Sequence, residues 1–210
     1  MAPDEATLQE KRATATRDHI LGAAFELLVE HPEFPFSHEA VAKAAGVGAR
    51  TVYRYFPAQA DLFEALWLQV RKQSGTVFPT TEAEIVSKIG VMFRAFDKNE
   101  KLIRAVMESP AGARVRARGA EKGRTSFDQS LKDVTQSLSP TERRQVRAVF
   151  HGIHSGPFWQ MLHERGGLSG PEAIAAASWA AQALLDTLRH EKKTSCSKTD
   201  DTKKKGDRSK

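Results

Sequence analysis

Two helical patterns meet at Gly46-Val47-Gly48, and no other stretch limits so sharply what this chain can fold into. Ahead of the turn, Ala40, Val41 and Ala44 recur at helical spacing behind Ser37, whose hydroxyl can accept from the free N–H groups of a helix start. Gly46 can take the left-handed conformation that ends a helix, Val47 can turn inward as an anchor, and Gly48 lets a second helix begin at once. Helices joined by so short a turn cross steeply, as in a helix-turn-helix. In the second helix, Ala49 to Phe56, Val52 and Phe56 are four residues apart and can face a core. Arg50, Thr51, Tyr53, Arg54 and Tyr55 are left for the other faces. Such a rod fits a DNA major groove, where arginine can donate two parallel hydrogen bonds to guanine and hydroxyls reach base edges or phosphate.

The string A-A-G-V-G-A-R-T-V-Y-R-Y-F-P-A-Q-A-D-L-F, from Ala44 to Phe63, resembles the signature of TetR-family transcriptional regulators, and the likeness extends upstream to Arg17. It joins the A-G-V turn, the Y-x-Y-F end of the second helix, the Pro after it and a Leu-Phe pair opening the next helix. The resemblance implies an all-α fold: a helix-turn-helix DNA-binding domain followed by a larger helical domain for ligand binding and dimerisation. DNA would be read by Arg50, Thr51, Tyr53 and Arg54 and positioned by Ser37, His38 and Tyr55, with Ala49 also in the DNA-binding set and Gln59 meeting a phosphate. The family usually has Ser or Thr where Gly48 stands and commonly Lys where Gln59 stands, so a side-chain cap and a charge are missing here.

Charge does not make the argument by itself. The net charge is +6, but 191–210 holds eight basic residues against four acidic ones, whereas 1–62 holds six against nine. DNA binding therefore rests on the placement of Arg17, Lys43, Arg50 and Arg54. No stretch approaches the roughly 18 uninterrupted apolar residues of a membrane span. Met1 to Arg12 is polar and mixed in charge, unlike a secretory signal, and the single cysteine, Cys196, allows no internal disulfide. A cytoplasmic protein is expected.

In chain order, residues 1–16 lack apolar periodicity and read as a flexible arm. Residues 17–62 form the DNA-binding domain, 63–190 the helical effector-binding and dimerisation domain, and 191–210 a basic tail that is disordered by composition. Within the larger domain, helices are expected over Glu82–Phe96, Lys101–Glu108 and Pro110 to about Leu138. A long helix over Ser139–Glu164 should kink at Gly156-Pro157. The last runs from Pro171 to about Arg189, with Ala173, Ala176, Ala177, Ala180, Ala181 and Leu184 closely spaced. Arg114, Arg116, Arg118, Lys122 and Arg124 read first as a solvated face. No strand pattern competes.

Phe158-Trp159, a Gly-rich turn and an alanine-rich helix containing Trp179 look like the family's dimerisation helices, with ordinary core as the alternative. Aromatic and sulfur side chains collect in the larger domain: Trp67, Met92, Phe93, Phe96, Met107, Phe127, Phe150, Phe158 and Trp159, with His154, Gln160 or Arg104 as polar groups. They could line an apolar effector pocket or simply pack. In the family, an effector there separates the recognition helices and releases DNA, which requires it to bind the DNA-incompetent state more tightly.

Catalysis has no visible machinery. His151 and His154 lie a helical turn apart without a neighbouring carboxylate ligand, and no nucleophile elbow, phosphate loop or dinucleotide fingerprint occurs. The sequence thus predicts a homodimeric regulator, more a repressor than an activator, that binds a double-stranded operator and a small apolar or amphipathic effector without cofactor, metal or membrane. The rival reading is a helical interaction or ligand-binding module that has lost sequence-specific DNA binding.

Overall fold

The computed structural model describes the backbone of residues 7–206 and the side chains of residues 7–190. It holds ten helices and no strand among the described residues: α1 (Leu8–Glu30), α2 (His38–Ala45), α3 (Ala49–Tyr55), α4 (Gln59–Ser74), α5 (Glu82–Lys98), α6 (Glu100–Glu108), α7 (Pro110–Ser130), α8 (Pro140–Ile153), α9 (Gly156–Glu164) and α10 (Gly170–Gly206). No helix is long and apolar enough to cross a membrane among the described residues. The chain divides into two compact units, residues 1–74 with 99–120 and residues 75–98 with 121–210.

In the first unit, α1 begins nine residues earlier than the apolar pattern predicts. Thr7 and Glu10 form a capping box, each side chain taking the other's backbone N–H. The Thr-x-x-Glu signal was present in the sequence, but the polar turns behind it carry no apolar stripe. Ile20, Ala24, Leu27 and Leu28 of α1 are buried, and α1 packs against α2, α4 and α6. At Ser109 one hydroxyl closes a helix and opens the next: its Oγ donates to Ala105 O at 2.7 Å and accepts from Gly112 N at 2.9 Å. Pro110 then starts α7, where its missing N–H costs nothing. A Cβ on Gly112 would run into the Val106 backbone, so only glycine allows this turn to close.

In the second unit, α5 buries Ile85, Ile89, Met92, Phe93 and Phe96, and α10 packs on it. Ala173, Ala177 and Ala181 are fully buried one helical turn apart, with Leu185 and Leu188 extending the row. Small side chains thus bring α10 close to its own α5, whereas Trp179 and Leu184 remain exposed. The expected alanine row divides accordingly between an intrachain core and an outer face.

Three further boundaries differ from the sequence expectation. The α7 helix ends at Ser130, not near Leu138, and gives way to turns. There the single Ser130 hydroxyl proton is shared between Ser126 O and Pro79 O, and Thr135 Oγ1 donates to Leu131 O, so side chains compete with the helical ladder. The expected long helix over 139–164 is broken, not kinked. His154 ends α8, and the Ser155 side chain accepts the Phe158 N–H to cap α9. Finally, the backbone stays helical through Gly206, over most of the stretch whose composition predicts disorder. Extending a helix already nucleated costs far less than starting one. Residues 1–6 of the expected arm and 207–210 of the tail lie outside the described residues.

Candidate nucleic-acid interface and ligand-binding interior

The geometry of the first unit starts from the turn. Ser37 accepts the Ala40 N–H at 3.1 Å and caps α2, while Gly46 sits in the left-handed region at φ 65°. Val47 N donates to Ala42 O at 3.0 Å and Gly46 N to Lys43 O at 3.3 Å, the paired closure that lets α3 leave at once. The buried row of α2 is His38, Val41, Ala42 and Ala45, one register away from the row read off the alanines. His38 is the reason. Expected at the DNA surface, it is 5% exposed, and its Nε2–H donates to Phe56 O at 2.7 Å, tying the start of α2 to the end of α3.

On α3 only Val52 is buried, with Phe56 buried just beyond. Arg50, Thr51, Tyr53 and Arg54 line a shallow concavity of about 450 Å³ by themselves. Arg54 lies over the Tyr55 ring at 4.9 Å and donates to its hydroxyl at 3.3 Å. Arg17, from α1, lies 5.0 Å above the Phe56 ring. Gly48 stands at the N-cap of α3 without a side-chain hydrogen bond, and Ala49 is the first helical residue. Gln59 is half-buried, with Nε2 donating to Phe36 O at 2.8 Å, so this side chain ties the α1–α2 loop to α4.

One partner of this surface was missed in the sequence. Tyr53 Oη donates to Glu39 Oε1 at 3.1 Å, and the Tyr53 ring stacks on His38 with centroids 4.3 Å apart and planes 9° from parallel. The Glu39 carboxyl is held below the usual carboxylate range by its own backbone N–H, then by the Ser37 and Tyr53 hydroxyls. The same hydrogen bond raises the Tyr53 phenol. No periodicity links residues 14 apart across a turn; an acidic residue in the first turn of α2 is the only local signal.

The ten expected ligand-binding residues divide between the units. Trp67 and Met107 belong to the first, where a Cβ on Gly119 would meet the Trp67 ring. The other eight, Met92, Phe93, Phe96, Phe127, Phe150, His154, Phe158 and Trp159, belong to the second. All of these except Phe158 are buried. Phe127 is set among other rings, 5.0 Å from His154, 5.5 Å from His151 and 6.5 Å from Phe78. His154 Nε2 lies 2.6 Å from Ile85 O on α5 and Nδ1 lies 3.0 Å from Phe150 O. Burial pushes the His154 imidazole down, against the pull of those two carbonyls. Trp159 Nε1 donates to Asp97 Oδ1 at 2.8 Å. A separate apolar groove of about 320 Å³ is lined by Leu138, Val146, Val149, Phe150, Leu184 and Leu188 among others. Of the ten, only Phe150 reaches it.

Comparison with known proteins bears on both units. Residues 20–66 match the family of bacterial regulatory proteins called tetR. A curated relative, the HTH-type transcriptional repressor LfrR of Mycolicibacterium smegmatis, is 47% identical over 51 residues, 24% of this chain and 26% of the repressor. The match therefore spans about a quarter of that relative's length. A tetR-family transcriptional regulator from Streptomyces coelicolor shares the fold at a TM-score of 0.57 and 19% identity, over 85% of this chain and 83% of its own. Another from Syntrophomonas wolfei does so at a TM-score of 0.54 and 16% identity, over 82% and 95%.

Proposed function

We propose that this chain, which belongs to the tetR family of bacterial regulatory proteins, is a homodimeric, effector-responsive repressor that binds a palindromic operator. The observation that carries the reading is α3 itself. Val52 and Phe56 hold it to the core, while Arg50, Thr51, Tyr53 and Arg54 stand together on its open face. Arginine side chains on a helix of that kind suit guanine O6 and N7 in the major groove. Repression is supported by the relative that shares this domain, the HTH-type transcriptional repressor LfrR.

Dimerisation is supported by the outer face of α8, α9 and α10. Trp179 on α10 is 74% exposed, and Leu184 on α10, Val149 on α8 and Met161 on α9 are exposed as well, on three helices that pack together. A second copy covering this face would pair two recognition helices for two half-sites. The effector would enter the aromatic interior of the second unit, displacing packing around Phe127 and His154. To release DNA it must bind the DNA-incompetent state more tightly than the competent one.

The direct test is a mobility shift of the purified chain on the DNA upstream of its own gene, across a salt series. A sequence-selective complex weakened by salt is expected. Arg50→Ala and Arg54→Ala should each cost about 1–3 kcal/mol of operator binding. Full-strength binding by both variants would refute base reading by α3.

A further inference from the structure

Glu39 is an odd residue to find beside a DNA-reading helix. Its carboxylate is exposed and accepts the Tyr53 hydroxyl at 3.1 Å, and its pKa is lowered by its own N–H and by the Ser37 and Tyr53 hydroxyls, which keeps it ionised. Tyr53 is held firmly. Its ring lies flat on His38, and His38 is buried and fixed to Phe56 O. The phenol therefore meets Glu39 without a search through rotamers.

The proton count then decides what the pair can bind. A tyrosine hydroxyl has one proton, and here it goes to Glu39. What remains outward is the phenol's lone-pair capacity and the unfilled share of a carboxylate's roughly four acceptor sites. Every one of those is an acceptor, and the carboxylate carries a full negative charge. A phosphate oxygen is also an acceptor and also negative, so a backbone contact at Tyr53 would leave the phenol without a proton to offer and set two anions together. Guanine N7 and O6 and thymine O4 are acceptors as well. The donors that the major groove offers are the amino groups on cytosine N4 and adenine N6.

We propose that Glu39, with Tyr53 held against it, is a specificity-determining residue that selects an exocyclic amino group in the major groove and bars Tyr53 from the phosphate backbone. The proposal rests on the DNA-reading function above. It explains how a domain with more acids than bases in residues 1–62 could gain from one of those acids. A carboxylate at the interface weakens binding to every duplex and repays that only where an amino group meets it, which sharpens discrimination.

The test is selection of duplexes from a randomised pool by the full chain, followed by sequencing, for the natural protein, Glu39→Gln and Tyr53→Phe. The natural protein should enrich a two-fold motif with cytosine or adenine at one position of each half-site. Which of the two bases is enriched identifies the amino group. Glu39→Gln keeps the size but adds an N–H donor, so the preference there should fall about tenfold and move towards guanine or thymine. The remaining positions should hold, and binding to unrelated DNA should tighten. Tyr53→Phe keeps the carboxylate and should retain the preference in weakened form. An unchanged motif in Glu39→Gln would overturn the proposal while leaving the regulator reading intact. Loss of all binding by Glu39→Gln, with helicity and melting temperature preserved, would also overturn it by making Glu39 part of the scaffold. No motif from the natural protein would instead sink the DNA-reading function itself.

Discussion

The α2–α3 and α8–α9 junctions are both abrupt, and they are built on opposite plans. At Gly46 the backbone turns through φ 65°, a region that costs an L side chain strain, so the residue type alone announces the turn. At His154 and Ser155 no residue has positive φ; the break is made by a buried imidazole reaching Ile85 O, 69 residues away, and by a serine cap. The first junction turns side chains outward on a short helix with only Val52 buried. The second pulls them inward, with His154 and Trp159 almost fully buried. A turn made by backbone preference can be read locally. One made by a distant contact cannot.

The largest expected effect follows from the inward plan. Phe127 is fully buried among Phe78, His151 and His154, so Phe127→Ala should lower unfolding stability by about 3–5 kcal/mol, read by chemical denaturation. A cost below about 1 kcal/mol would mean that the interior collapses onto the gap and is not the tight cluster described. Arg50→Ala, on the outward plan, should leave the denaturation midpoint where it is, because an exposed side chain away from a cap or core seldom contributes more than about 0.5 kcal/mol.

Gly46 comes next. No atom lies within 4 Å of where its Cβ would be, so Gly46→Ala meets no clash and isolates backbone strain. A loss of about 1–2 kcal/mol is expected by denaturation. Gly46→Asn should cost less, since asparagine visits the left-handed region more readily. Equal stability of all three proteins would erase the difference between the two junctions.

The same contrast explains what was legible. The helix-turn-helix, its capping serine and the four outward residues of α3 follow from local rules, and the structure sets them as those rules require. His38 was misplaced because a histidine counts as polar in an apolar pattern, although the 38, 41, 42, 45 spacing was there to be read. Glu39 escaped because its partner lies on another helix. In the second unit the aromatics were recognisable as apolar, but which of them pack and which could meet a ligand depends on contacts between residues far apart in sequence. The division of the alanine row between α5 and the outer face has the same cause.

Near neutral pH, a pH dependence is expected from the inward junction. Burial lowers the His154 imidazole below its ordinary value of 6.5, and burial followed by the Arg124 and Arg147 charges lowers His151. The folded protein therefore holds both rings neutral at a pH where the unfolded chain would protonate them. That stabilisation is complete above the unfolded value and is lost as pH falls from there towards the lowered folded values. The melting temperature should drop between about pH 7.5 and 5.5. His154→Gln should flatten the profile, and a profile of unchanged slope in that variant would remove His154 as its source.

The smallest effect sharpens the outward plan. Gly48 caps α3 with ordinary extended angles, φ −70° and ψ 143°, and nothing lies within 4 Å of where its Cβ would be. Gly48→Ser should therefore place a hydroxyl on the free N–H groups of α3 without strain and stabilise the chain by about 0.3–0.5 kcal/mol, read as a small rise in melting temperature. Operator binding distinguishes two reasons for the glycine. A firmer α3 start that binds DNA as well or better marks Gly48 as a position where a cap is simply missing. Weaker binding by a more stable protein would mean that the DNA backbone approaches the bare Gly48 closely, and that the cap is left out to make room for it.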